Sequence, residues 1–154
     1  MDYSEYLALK ELYDATNGDH WNWSTDYKHK GVPWVFDDFA KNNPCQAMWQ
    51  GLFCDNFQCP DTGCRLFSMD LRALNLSGTL PSFDGKFKGM LYLTLSENNL
   101  HGHLPTISEM PSLQTFNVSY NQLSGQIPDT FYNFKELYLL YLSNNKFEGT
   151  VPPS

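Results

Sequence analysis

The chain contains no apolar run near the roughly 18 residues that a membrane helix needs. Met1 leads directly into polar Asp2, so no secretory leader is visible in it. Cations are scarce: 10 Lys and Arg stand against 17 Asp and Glu, a net charge of −7. An acidic chain without basic clusters is a poor binder of nucleic acid or of an anionic membrane. Catalytic motifs are missing too. There is no phosphate-cradling glycine loop, no G-x-S-x-G elbow and no H-E-x-x-H helix. Asp37-Asp38 and the Asp55 region offer carboxylates, but nothing sets them across a cleft for acid–base work, and they read as solvated loop. His101-Gly-His103 looks like a metal pair without the third and fourth ligands that a site requires. The chain is therefore expected to be no enzyme, to hold no metal and to need no cofactor.

Four cysteines crowd into one stretch: Cys45, Cys54, Cys59 and Cys64. They lack the C-x2-C pairs of common zinc sites. An even, clustered set favours disulfides and hence an oxidising compartment, with three connectivities open. The sequons Asn22-Trp-Ser24, Asn75-Leu-Ser77 and Asn117-Val-Ser119 are weak alone but agree with passage through the secretory pathway, so Asn22, Asn75 and Asn117 are candidate glycosylation sites.

At 154 residues the chain matches the length of one domain, and 42% hydrophobic residues suffice for a core. Residues 2–17 read as an amphipathic helix. Asp2 and Glu5 have capping-box spacing, and Tyr6, Leu9, Leu12, Tyr13 and Thr16 share one face. Asn17-Gly18 ends it. Residues 18–64 show no periodicity and read as ordered loop, with Trp21, Trp23, Trp34 and Trp49 as the anchors that hold it still.

From residue 69 a pattern L-x-L-x-x-N-x-L-x-G-x-[LIV]-P returns to the end of the chain. Its starts, Met69, Leu93, Phe116 and Leu140, lie 24, 23 and 24 residues apart. A fixed period of this size marks a solenoid. Each copy opens with a short strand, expected near 68–72, 92–96, 115–119 and 139–143. The inward pairs are Met69/Leu71, Leu93/Leu95, Phe116/Val118 and Leu140/Leu142, and Leu66, Met90, Leu113 and Leu137 precede them. Asn98, Asn121 and Asn145 sit where the chain leaves the strand, and their amides are expected to form a ladder satisfying buried backbone groups. Leu74 replaces the Asn in the first copy, an end effect of the neighbouring cap. Gly78, Gly102, Gly125 and Gly149 permit the bend, and Pro81, Pro105, Pro128 and Pro152 follow. Phe83/Phe87, Ile107/Met110 and Phe131/Phe134 carry the return on the convex side.

These copies resemble the plant-type leucine-rich repeat, whose segment after the strand reads L-x-G-x-[IL]-P. Pro44-Cys45, Trp49, Gly51 and Cys54 resemble the N-terminal cap of plant leucine-rich-repeat receptors. Ala8-Leu-Lys-Glu-Leu-Tyr13 through Gly18 and Trp21 resembles the start of that cap in a form common in protist and algal proteins. The resemblance spans essentially the whole chain. It implies an α/β fold: a right-handed leucine-rich-repeat solenoid with parallel strands on its concave face and a helical, cysteine-bearing cap, the cap over 1–64 and four repeats over 65–154. It implies a Cys45–Cys54 disulfide. Cys59 and Cys64 are extra to the family cap and are paired with each other by proximity, and the insertion at 18–44 is longer than usual.

The resemblance further implies extracellular recognition of a protein, peptide or glycan, as part of a receptor-like protein. Two other implied roles are inhibition of a cell-wall-degrading enzyme, as in polygalacturonase-inhibiting proteins, and an adhesive or structural assembly. The candidate face comprises the outward positions Asp70, Arg72 and Ala73; Tyr92, Thr94 and Glu97; Thr115, Asn117 and Tyr120; Leu139, Tyr141 and Asn144. Tyr offers contact area at low rotamer cost. A glycan on Asn117 would cover this face, leaving the solenoid edge or the aromatic insertion to a ligand. No polar cap follows Val151-Pro-Pro-Ser154, so a capping partner or further repeats are expected there.

Overall fold

The computed structural model describes residues 1–23, 31–55, 64–107 and 109–149. Helix α1 runs Tyr3–Ala15, with the Asp2 carboxylate accepting from the Glu5 N–H at 2.9 Å. Tyr6, Leu9, Leu12 and Thr16 are buried and Tyr13 is half-buried. Ala8 and Glu5 are buried beside them, which the spacing did not single out. Burial pushes the Glu5 carboxyl up to about 7, with the nearby Asp2 charge acting in the same direction.

Each coil contributes two short strands. The first set is β2 (Leu66–Asp70), β4 (Tyr92–Thr94), β6 (Thr115–Asn117) and β8 (Leu139–Tyr141), all parallel. β1 (Leu52–Cys54) joins β2 antiparallel, giving a five-stranded sheet in the order β1-β2-β4-β6-β8. The strands are shorter than expected, but ladder bonds run on past them: the Leu71 N–H donates to Thr94 O (2.9 Å) and the Ala73 N–H to Ser96 O (3.1 Å). Strand β1 corrects the expectation of loop throughout 18–64. Among the described residues no coil precedes β2, and an unpaired sheet edge is a liability that β1 removes.

A second parallel sheet stands beside the first: β3 (Ser77–Thr79), β5 (Asn99–His103), β7 (Gln122–Gly125) and β9 (Lys146–Phe147). It lies on the L-x-G-x-[LIV]-P segment, which reads as a bend because its glycines break the alternation of a strand. Coil-to-coil pairing at a fixed period makes it a strand nonetheless, since each copy meets the same residues of the next.

One hydrophobic core runs from the cap through the coils. The inward pairs of the first three coils are buried, as are Phe83, Phe87, Ile107, Met110 and Phe131. In the fourth coil Leu140 is 38% exposed and Leu142 and Phe147 are only half-buried, because no described coil packs beyond them.

The asparagines bridge successive coils. Asn121 Oδ1 accepts from the Leu100 N–H (3.0 Å) in the coil before, while its Nδ2 donates to Leu95 O (3.0 Å) and Val118 O (3.1 Å). Asn98 does the same with the Leu76 N–H (2.9 Å) and Leu71 O (2.9 Å), and Asn145 with the Leu123 N–H (3.0 Å) and Val118 O (2.9 Å). Leu74 has no preceding coil to serve. It is buried, and its carbonyl accepts from the Asn22 N–H of the cap at 2.8 Å.

The cap is welded to the first coil at two glycines. Gly51 has φ +80, its carbonyl accepts from the Asp70 N–H (2.8 Å), and a Cβ there would meet Asp70 O at 2.4 Å. Gly78 has φ +117, and a Cβ would meet Ala15 O of α1 at 2.3 Å. Cys45 and Cys54 form a disulfide that closes this end, across a sequence separation of 9. Cys64 is also disulfide-bonded. Cys59, its expected partner, lies outside the described residues, as do Val151 and Pro152 of the last copy. A loop this short still restricts the unfolded chain. Replacing Cys45 and Cys54 together by Ser is expected to cost about 2–3 kcal/mol. Thermal unfolding with and without reductant checks this: the variant should melt lower than the oxidised parent and respond less to reductant.

Candidate functional site

Register across the five-stranded sheet sorts the outward side chains into rows. One row is Phe53, Ser68, Tyr92, Thr115 and Leu139; the next is Asp70, Thr94, Asn117 and Tyr141. Neighbours in a row sit about 4.8 Å apart, the strand spacing of any sheet. Tyr92, Leu139 and Tyr141 are exposed, while Thr94, Thr115 and Asn117 are half-buried between them. These rows present alternate residues of rigid strands, so their spacing is fixed before any ligand arrives.

Five of the expected face residues are not on strands: Arg72 follows the end of β2, and the other four lie at a turn. Ala73, Glu97, Tyr120 and Asn144 take the left-handed conformation, with φ of 57, 58, 54 and 57. The chain must reverse there to carry the following Leu74, Asn98, Asn121 and Asn145 inward. Asn favours such a conformation, whereas a bulky Tyr costs free energy in it. Tyr120 is nonetheless 57% exposed beside the face. The serines just before this turn, Ser96 and Ser119, are buried and belong to the scaffold.

The face is nearly neutral. The Arg72 guanidinium pairs with Asp70 at 3.0 Å, and Glu97 is exposed at the turn. The Asn117 Oδ1 accepts from the Ser119 N–H (3.0 Å) and hydroxyl (2.7 Å), so its side chain is held by its own sequon. Asn75 is exposed at φ +63, and its Nδ2 donates to His20 O at 3.2 Å, tying the amide to the cap. Asn22 is exposed, but Ser24 of its sequon lies outside the described residues. His101 and His103 are exposed on β5, away from the rows. Asp37 is held below the usual carboxylate range by the Asn42 amide, and Asp38 pairs with Lys41 at 3.1 Å.

Sequence reasoning missed one column. Phe67, Leu91, Gln114 and Tyr138 precede the first row by one residue, and Tyr138 is 65% exposed. Extending the alignment two positions upstream of Met69, Leu93, Phe116 and Leu140 shows a large side chain there in every copy. Phe53 on β1 was missed because β1 itself was.

Coils that each lay one strand on a shared face and return through an apolar convex side make this a solenoid repeat protein. A family model described as leucine rich repeat matches residues 92–147. Receptor-like protein 35 of Arabidopsis thaliana is 32% identical over 116 residues, which cover 74% of this chain and 11% of that protein. The leucine-rich-repeat ectodomain of the receptor kinase SOBIR1 from Arabidopsis thaliana superposes with a TM-score of 0.67 at 25% identity, over 96% of this chain and 70% of that one. PEPR1–AtPEP1 superposes at 0.71 and 28% identity, over 97% of this chain and 19% of that one. The residues that the family model matches are leucine-rich repeats, and the chain as a whole is similar to plant leucine-rich-repeat receptor-like proteins. It spans about a tenth of the length of the first curated relatives it matches, which it covers to 10% and 11%.

Proposed function

We propose that this chain is a non-catalytic recognition module of a receptor-like protein, working on the extracellular side and binding a peptide or protein through the open face of its five-stranded sheet. The observation that carries this reading is the set of large side chains the face leaves uncovered. Tyr92, Tyr120, Leu139 and Tyr141 are each between 37% and 57% exposed on a backbone locked by two ladders. Pre-organised aromatic side chains lose little entropy on binding and dominate recognition energetics. Two further facts support it. The related PEPR1 was solved together with AtPEP1. The disulfides suit an oxidising compartment. The cap over 1–64 then serves to close the core of the repeats over 65–154.

The test is selection of peptides from a displayed random library against the whole chain. Affinity of the selected peptide for the triple variant Tyr92→Ala, Tyr120→Ala and Tyr141→Ala is expected to fall by on the order of a hundredfold, with the melting temperature nearly unchanged. Undiminished affinity in that variant removes the face from the binding site.

A further inference from the structure

The charges of this acidic chain are distributed unevenly around the solenoid. Among the described Lys and Arg side chains, Lys10, Lys41, Arg65, Arg72 and Lys86 each pair with a carboxylate: Asp14, Asp38, Asp55, Asp70 and Glu11. Lys88, Lys135 and Lys146 form no such pair. Two of those three, Lys88 and Lys135, stand on one edge, where the chain enters the strands of the five-stranded sheet. They occupy the same position in coils two apart, four residues before the register-matched Tyr92 and Leu139.

Two clefts open along this edge. One, of about 390 Å³, is lined by Asp55, Arg65, Phe67, Lys88, Leu91 and Ser112, with Gly89 between them. The next, of about 250 Å³, is lined by Pro111, Thr130, Asn133, Phe134 and Lys135. Pro111 and Ser112 are adjacent in the chain, so the clefts follow one another from coil to coil. Phe67, Leu91 and Phe134 are half-buried and give the clefts apolar walls. The Thr130 hydroxyl is shielded from water and has no hydrogen-bond partner, although it lines the second cleft.

We propose that this strand-entry edge is a second recognition surface, which takes an extended acidic peptide segment. Arg65 shares its charge with Asp55, but Lys88 and Lys135 are uncompensated in a chain of net charge −7. Leaving them so, beside apolar clefts, matches carboxylates of a partner that also offers apolar side chains. An acidic sugar polymer would use the lysines and leave Phe67, Leu91 and Phe134 unused. Two coil steps separate the lysines by roughly 10 Å, and a peptide in the extended polyproline II form advances about 3.1 Å per residue with three residues per turn, so every third side chain shares a face. The segment therefore carries acidic residues about three positions apart, with an apolar residue between them to enter a cleft. This rests on reading the chain as a recognition module but not on the tyrosine face, which lies on different positions of the coils.

The probe is a fluorescein-labelled synthetic peptide repeating Glu-Phe-Gly, titrated against the whole chain by fluorescence anisotropy. Saturable binding is expected, weakening with salt and falling by about tenfold or more in the double variant Lys88→Glu and Lys135→Glu. Lys146→Glu, on the other sheet, should bind as the parent does. Should the reversed charges lower the melting temperature, Lys88→Gln with Lys135→Gln gives the same comparison without repulsion. The proposal is overturned if the peptide does not saturate, if the double variant binds it equally well, or if an oligogalacturonate binds with the lysine dependence that the peptide lacks. The triple tyrosine variant should retain edge binding, so failure at the face and failure at the edge are separate results.

Discussion

Replacing Trp49 by Ala is expected to remove about 3–5 kcal/mol of stability, the range for a fully buried aromatic side chain. Trp49 is 1% exposed and sits where the cap converges. Its ring stacks on Trp34 with centroids 5.6 Å apart, meets Phe36 edge-on at 4.7 Å and approaches Tyr6 of α1 at 6.0 Å. Its chain neighbours on both sides are tied to Val32: the Met48 carbonyl accepts from the Val32 N–H at 3.0 Å, and the Gln50 N–H donates to Val32 O at 2.8 Å. The cavity could close only by moving the helix, the aromatic insertion and β1 together, and these share a core with the coils. In a domain of this size each kcal/mol shifts the melting temperature by about 2–4 °C. Thermal unfolding should thus show a single transition lowered by roughly 10 °C or more. Trp23→Ala, at the half-buried rim of the same cluster, should cost clearly less. Equal losses at the two positions would mean that the cap is not packed around Trp49.

Asn121→Leu should cost about 3 kcal/mol or more. The substitution is nearly isosteric, but it strands the buried Leu100 N–H, worth roughly 1–3 kcal/mol when unpaired, and takes one donor each from the Leu95 and Val118 carbonyls, which keep those of Asn98 and Asn145, at roughly 0.5–1.5 kcal/mol per lost bond. Asn98→Leu should behave alike, for the same reasons one coil earlier. Asn145→Leu should cost about 1 kcal/mol, because that side chain is half-exposed and water can replace its partners. Denaturant unfolding of the three variants measures this gradient. Three equal values would show that the ladder does not act through burial. The native chain contains its own control in Leu74, where the Asn22 N–H of the cap serves the Leu74 carbonyl and Asn98 serves that of Leu71.

Much of this was legible in the residues. A hydrophobic pair at period two, an Asn three residues after its second member and a Gly-x-x-Pro further on repeat every 23 or 24 residues. That repetition is a local property, because each coil folds back on itself through contacts within about one period. It suffices to identify the solenoid, the inward residues Met69, Leu93 and Phe116, and the bridging asparagines.

The candidate face was legible only in part. Tyr92, Leu139 and Tyr141 stand out because they break the polar expectation of an outward strand position. Phe53 and Tyr138 did not, since the first belongs to a strand formed only against β2, and the second immediately precedes a strand whose start the period leaves ambiguous. The left-handed turn at Ala73, Glu97, Tyr120 and Asn144 was hidden as well, because only the last carries a residue type that favours it.

By itself, then, the sequence determined the coil: its period, its inward side and the polar groups that join it to the next. The tertiary structure decided what depends on register between coils. It made a sheet of the glycine-bearing segment, aligned side chains from four coils into rows, and left two lysines, 47 residues apart in the sequence, unpaired on one edge. Periodicity constrains neighbours along the chain. Which charges meet and which stay alone is settled between residues that only stacking brings together.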